Sequence, residues 1–133
     1  MLFHRSPFYD LIPIGASWMS WYYQLEKYLR DYLSSRMPGI LSFLNILCYH
    51  TSKRDCIELL FTSPSKLYHT LLYYHQGDYV LADHTFILAF LNPLALHLRR
   101  PELVHELVSM AKLGRDKDFI ETIKKHILEG VSS

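Results

Sequence analysis

Between Cys56 and Leu98 the chain carries four charged side chains in 43 residues: Glu58, Lys66, Asp78 and Asp83. Residues 99–129 then carry thirteen in 31, seven positive and six negative. A long stretch so poor in charge belongs inside a fold or beneath a partner, because ionised side chains are what normally cover a wet surface. The C-terminal segment, with both signs mixed, belongs outside. The whole chain has 133 residues, enough for one domain. A domain of that size cannot enclose every residue of 37–50, 56–62, 67–75 and 84–98. Part of this apolar surface is therefore expected to face another protein chain, a partner or a second copy.

The hydrophobic spacing is helical. Trp18, Trp21, Tyr22, Leu25, Leu29, Tyr32 and Leu33 follow i, i+3, i+4, i+7, i+11, i+14, i+15, the stripe of a long amphipathic helix. Glu26/Arg30 and Lys27/Asp31 stand four apart on its wet side, and Pro38-Gly39 stops it. Residues 39–49 are apolar almost all round, and their length and leucine content predict a central buried helix. The short run 56–62 is expected to be a helix too, since a lone strand would have nothing to pair with. Ser63-Pro64 opens a helix that Gly77 closes. Asp83 is expected to cap a helix over 84–91, which Asn92-Pro93 interrupts. Arg100-Pro101-Glu102 opens another, closed by Gly114. Asp118 with Glu121 reads as a capping box for the last helix, ended by Gly130. Met1–Ala16, with Pro7, Pro13 and Gly15, is expected to be irregular. The fold class is all-α: a single-domain bundle of six to eight helices over residues 1–133. Trp18, Trp21, Leu25, Leu29, Leu44, Leu47, Leu71, Leu88, Leu107 and Ile123 are expected in its core.

Several classes fall away. Formal net charge is +1, so no net field marks an obligate nucleic-acid or membrane binder. The longest uncharged runs, Leu11–Leu25, Met37–Ser52 and His84–Leu98, span 15, 16 and 15 residues. Each is short of the ~18–20 that cross a bilayer, so no membrane partner is expected. Two cysteines are too few for a disulfide-built scaffold. No basic segment precedes an apolar one with a small-residue cleavage site, so a cytoplasmic protein is expected.

Eight histidines raise the question of metal. Cys48, His50 and Cys56 are the candidate ligands, three donors within nine residues, but paired C-x2–4-C or H-x3–5-H spacing is missing. No cofactor is expected. The candidate catalytic pair is Arg100 and His105, an R-x4-H string. In size, helicity and these two residues the chain resembles the HEPN family of small helical ribonucleases. The resemblance implies that Arg100 and His105 would handle the RNA phosphate and 2′-oxygen, although Pro101 directly after the arginine departs from that pattern. There is no G-x-S-x-G and no glycine-rich phosphate loop.

Nucleic acid has one candidate edge. Lys53, Arg54 and Lys66 are nearly the only cations between Arg36 and Arg99, and Tyr68, His69, Tyr73, Tyr74 and His75 interleave aromatic rings with them. Bases stack on such rings. The sequence therefore reads as a non-catalytic protein–protein interaction subunit of an oligomer or nucleoprotein complex, with weak contact to single-stranded nucleic acid. A small ribonuclease and a metal-stabilised structural domain are the alternatives.

Overall fold

The computed structural model describes residues 16–132, with side-chain burial over 22–127. Regular structure among the described residues is all helical. In order come α1 (Ala16–Arg36), α2 (Pro38–Ser52), α3 (Cys56–Leu60), α4 (Pro64–Tyr74), α5 (Tyr79–Phe86), a π-helical turn (Ile87–Leu91), α6 (Asn92–Leu98), α7 (Leu103–Lys112) and α8 (Asp116–Ser132). Since α5, the π turn and α6 follow one another without a break, the described residues make seven rods, an all-α bundle as expected. The irregular segment expected over Met1–Ala16 lies outside the described residues, except that Ala16 already opens α1.

The stripe of α1 faces the core as its spacing requires: Leu25, Leu29 and Leu33 are buried, with Tyr22, Tyr28 and Tyr32 packed at the edge. On its wet side Lys27 meets Asp31 at 2.8 Å and Arg30 meets Glu26 at 3.6 Å. Arg30 also reaches Asp55 at 3.0 Å. Asp55 in turn caps α3, accepting from the Glu58 N–H at 2.8 Å. The charges that solvate α1 thus tie it to the start of α3. Of the expected core, Leu44, Leu71, Leu107 and Ile123 are also buried, and Leu47 is half-buried. The side chains of Trp18 and Trp21 lie outside those described.

The central rod differs from expectation in three ways. Asp78, not Asp83, is its cap, accepting from the N–H groups of Val80 at 3.0 Å and Leu81 at 3.2 Å. Asp83 lies one turn inside, where it accepts from the Tyr68 hydroxyl and pairs with Lys112 at 2.9 Å. Nor does Pro93 break the rod. A proline collides with the carbonyl four residues back, and the wider π turn relieves this: the Asn92 N–H donates to Ile87, five residues behind. The extra residue in that turn shifts the register, so Ala89, Phe90 and Leu91 point inward and Leu88 is exposed. Tyr79–Leu98 becomes a continuous helix of 20 residues, long and apolar enough by length and composition to cross a membrane. The separate uncharged runs did not reach that length. In this fold it is the central rod, packed on α4, α7 and α1, with Ala82, Phe86, Phe90 and Leu94 fully enclosed.

Two helix ends are also built differently. Ser63 precedes Pro64 as expected, yet its side chain makes no cap to α4. Asp116 does so from across the bundle. Its carboxylate accepts from the Ser65 N–H and the Ser63 hydroxyl, both at 2.8 Å, and from the Ser65 hydroxyl at 3.0 Å. The expected Asp118–Glu121 box is replaced by an Asp118–Arg115 pair at 2.7 Å, and α8 continues through Gly130 to Ser132. Gly77 and Gly114 follow α4 and α7 at φ +86° and +76°, a conformation that side chains with a Cβ adopt only under strain.

Candidate interaction surface

Helix α2 contains no Asp, Glu, Lys or Arg in its 15 residues, PGILSFLNILCYHTS. Such a helix is expected in the middle of a bundle. It lies instead on the flank, packed chiefly on α1, α3 and α4, and buries just Leu44 and Cys48 among the described residues. This corrects the prediction of a central helix. Its back is fastened by specific links. The Asn45 side chain accepts from the Cys56 N–H at 3.1 Å, and the Thr51 and Thr70 hydroxyls meet at 3.1 Å. Cys48 is disulfide-bonded to Cys56, with Cα atoms 5.4 Å apart.

What remains is an outer face of apolar side chains. Ile46 is 67% exposed, and Ile40, Phe43 and Tyr49 are each open by two-fifths or more. Beside them stands the end of α4, where Tyr73 is 79% exposed and the Tyr74 ring packs edge-on against Phe43 at 5.1 Å. A groove of about 780 Å³ lies there, lined by Leu47, His69, Leu72, Tyr73, Tyr74, Gln76 and Gly77. A second apolar stripe, Val80, Leu81, Leu88 and Leu96, follows the outside of the central rod.

The candidate residues from the sequence fall around this face. Lys53 ends α2 in the left-handed conformation at φ +62°, with Arg54 next to it, and Lys66 sits one turn before Thr70 on α4. The Thr51–Thr70 contact draws these two segments together. All three cations are exposed and none has an ion-pair partner among the described residues. The metal candidates meet a different arrangement. Cys48 and Cys56 are bonded to each other, and a disulfide sulfur is not the thiolate a metal takes. His50 lies exposed on the outer face, and no three His, Cys, Asp or Glu side chains cluster as a ligand set among the described residues. Arg100 and His105 occupy the turn into α7 and its first turn, both exposed and neither lining the groove.

Burial also shifts polar groups elsewhere in the bundle. Burial raises the Tyr68 phenol, and its hydrogen bond to Asp83 adds to this. The proton therefore stays on Tyr68, which binds α4 to α5 while Lys112 of α7 balances Asp83. Burial likewise raises the Glu26 carboxyl against the opposing pull of Arg30, and lowers His97, whose ring lies 4.4 Å from that of Tyr28. None of these groups opens onto the α2–α4 groove. In comparisons with protein-family models, curated proteins and solved structures, the chain matches none.

Proposed function

We propose that the protein is a non-catalytic interaction subunit that binds another protein chain through the outer face of α2 and the adjoining end of α4. One observation carries this reading: a helix free of ionised residues buries only two side chains and turns Ile40, Phe43 and Ile46 to solvent. Scattered exposed apolar residues are ordinary, but a contiguous patch beside a groove has the composition of an interface core, depleted in charge and rich in aromatic rings. Sizing of the tagged chain in an extract of its own cells tests this. The chain should elute well above its 15.7 kDa monomer mass, and Ile46→Glu with Tyr73→Glu should return it to monomer size. Elution as a monomer, or a large species indifferent to both substitutions, would overturn the reading.

The basic edge supports an accessory role in a nucleoprotein complex. Lys53, Arg54 and Lys66 lie on segments clamped by Thr51 and Thr70, at one end of the same face. Three phosphate contacts on a single strand give a logarithmic salt slope of about −2, which is weak binding at physiological ionic strength. Retention on single-stranded DNA or RNA at low salt should be lost in Lys53→Glu/Arg54→Glu with the fold intact. Equal retention of parent and double variant would reduce this edge to solvated surface.

A further inference from the structure

The partner that this face suits best is a second copy of the same chain. We infer that two copies pair across a two-fold axis passing close to Ile46, with the two α2 helices antiparallel. This rests on the reading of the α2–α4 face as a protein-binding surface and names its occupant.

Three observations lead there. The first is charge. Near a two-fold axis each residue meets its own copy or a close neighbour, so any ionised group there confronts like charge. Helix α2 offers none along its whole length. The second is shape. An isologous surface must hold its own ridge and its own recess, and this one has the exposed Ile46 and Tyr73 directly beside the groove over Leu47 and Leu72. The third is area. With aromatic side chains at ~150–250 Å² each, the exposed fractions of Ile40, Phe43, Ile46, Tyr73 and Tyr74 amount to roughly 600 Å² per copy. Doubled, that is about 1,200 Å², the lower end of stable, specific interfaces.

The register follows from the helix. Ile46 stands near the middle of Pro38–Ser52, on its outward side. An axis at Ile46 sets Phe43 opposite the copy's Tyr49, an aromatic pair, and Ser42 opposite the copy's His50. Gly39, at the start of the same face, has nothing within 4 Å of where a Cβ would stand, so a second helix can approach there.

The full chain, purified and followed by sedimentation from about 1 to 100 μM, should run from monomer to dimer. Ile46→Glu puts two carboxylates on the axis and should raise the dissociation constant at least ~100-fold, since facing like charges cost several kcal/mol. Ile46→Lys should do the same, and an equimolar mixture of the two variants should restore a 1:1 dimer. Leu96→Glu, on the other apolar stripe, should leave the parent dimer unchanged. Circular dichroism confirms that each variant folds, as expected at sites this exposed. A parent monomeric throughout, a dimer that survives Ile46→Glu, or a mixture that fails to reassociate would each overturn the two-fold pairing. If the parent is monomeric when pure yet forms an Ile46-dependent complex in extract, self-pairing falls and the interaction reading stands. With no complex in either setting, both fall.

Discussion

Reducing the Cys48–Cys56 bond should cost the fold about 2.5 kcal/mol, and α2 should be where the loss is felt. The magnitude comes from the loop it closes. The cysteines are eight residues apart, and chain-entropy arguments assign a cross-link over so short a loop roughly 2.5 kcal/mol of restraint on the unfolded chain. The location comes from packing. Of the two side chains that α2 buries, Leu44 and Cys48, one is half of the bond. Urea unfolding read by circular dichroism, with and without reductant, measures the first part. At ~1.5 kcal/mol per molar urea for a domain of this size, the midpoint should fall by about 1.5–2 M. Hydrogen exchange measures the second part: amides that open only with global unfolding should speed in every helix as stability falls, and α2, loosened locally as well, should speed most. Titration of free thiols in denaturant, none before reduction and two after, establishes that the bond was present and was broken. A midpoint shift below ~0.3 M with both thiols shown to be free would refute the reasoning, as would a uniform rise in exchange across all helices.

Three further outcomes follow from the packing. Leu29→Ala should lose ~2–5 kcal/mol in urea unfolding, because Leu29 is fully enclosed on α1; a loss under ~0.5 kcal/mol would mean that α1 faces otherwise. Asp116→Ala should cost ~1–2 kcal/mol although it lies 51 residues from the Ser65 N–H it caps, and a neutral result would refute that long-range cap. His97 sets an acid-side slope: burial keeps its folded pKa below the ordinary value, so the unfolded chain takes the proton first and stability falls as pH drops below about 6.5. Glu26 works the other way, since its raised folded pKa favours the acid side at lower pH; the contrast to measure is therefore His97→Gln, which should flatten the slope just below pH 6.5, and an unchanged slope would refute the assignment.

The all-α bundle was legible because its strongest signals are local. The α1 stripe, the Pro64 start and the Gly77 and Gly114 stops each act within a turn or two of chain. What misled were residues whose partners lie far along the sequence. Asp83 looks like a cap because it precedes an apolar run, but it is needed inside the rod for Tyr68 and Lys112. Ser63 looks self-sufficient, yet Asp116 caps the helix it opens. Pro93 looks like a break because the spacing gives no warning of a π turn, and the same turn carries Leu88 out of the core. The exposed apolar face of α2 and the end of α4 was half visible. Counting charges located a surplus of apolar surface in the middle of the chain, while the assumption that the most apolar helix lies deepest placed α2 inside. The disulfide had a weak signal: two cysteines eight apart astride the Lys53-Arg54-Asp55 reversal are within reach of each other only if the chain doubles back there.

Site-resolved photo-crosslinking tests the central claim most directly. A benzophenone side chain placed at Ile46 or Tyr73, on the outer face, is compared in the protein's own cells with one at Glu121, exposed on the charged side of α8. If the α2–α4 face is covered by a protein chain, the first two positions give discrete protein adducts, this chain or another, and Glu121 gives none. No adduct from Ile46 and Tyr73, or equal yields from all three positions, would contradict the account.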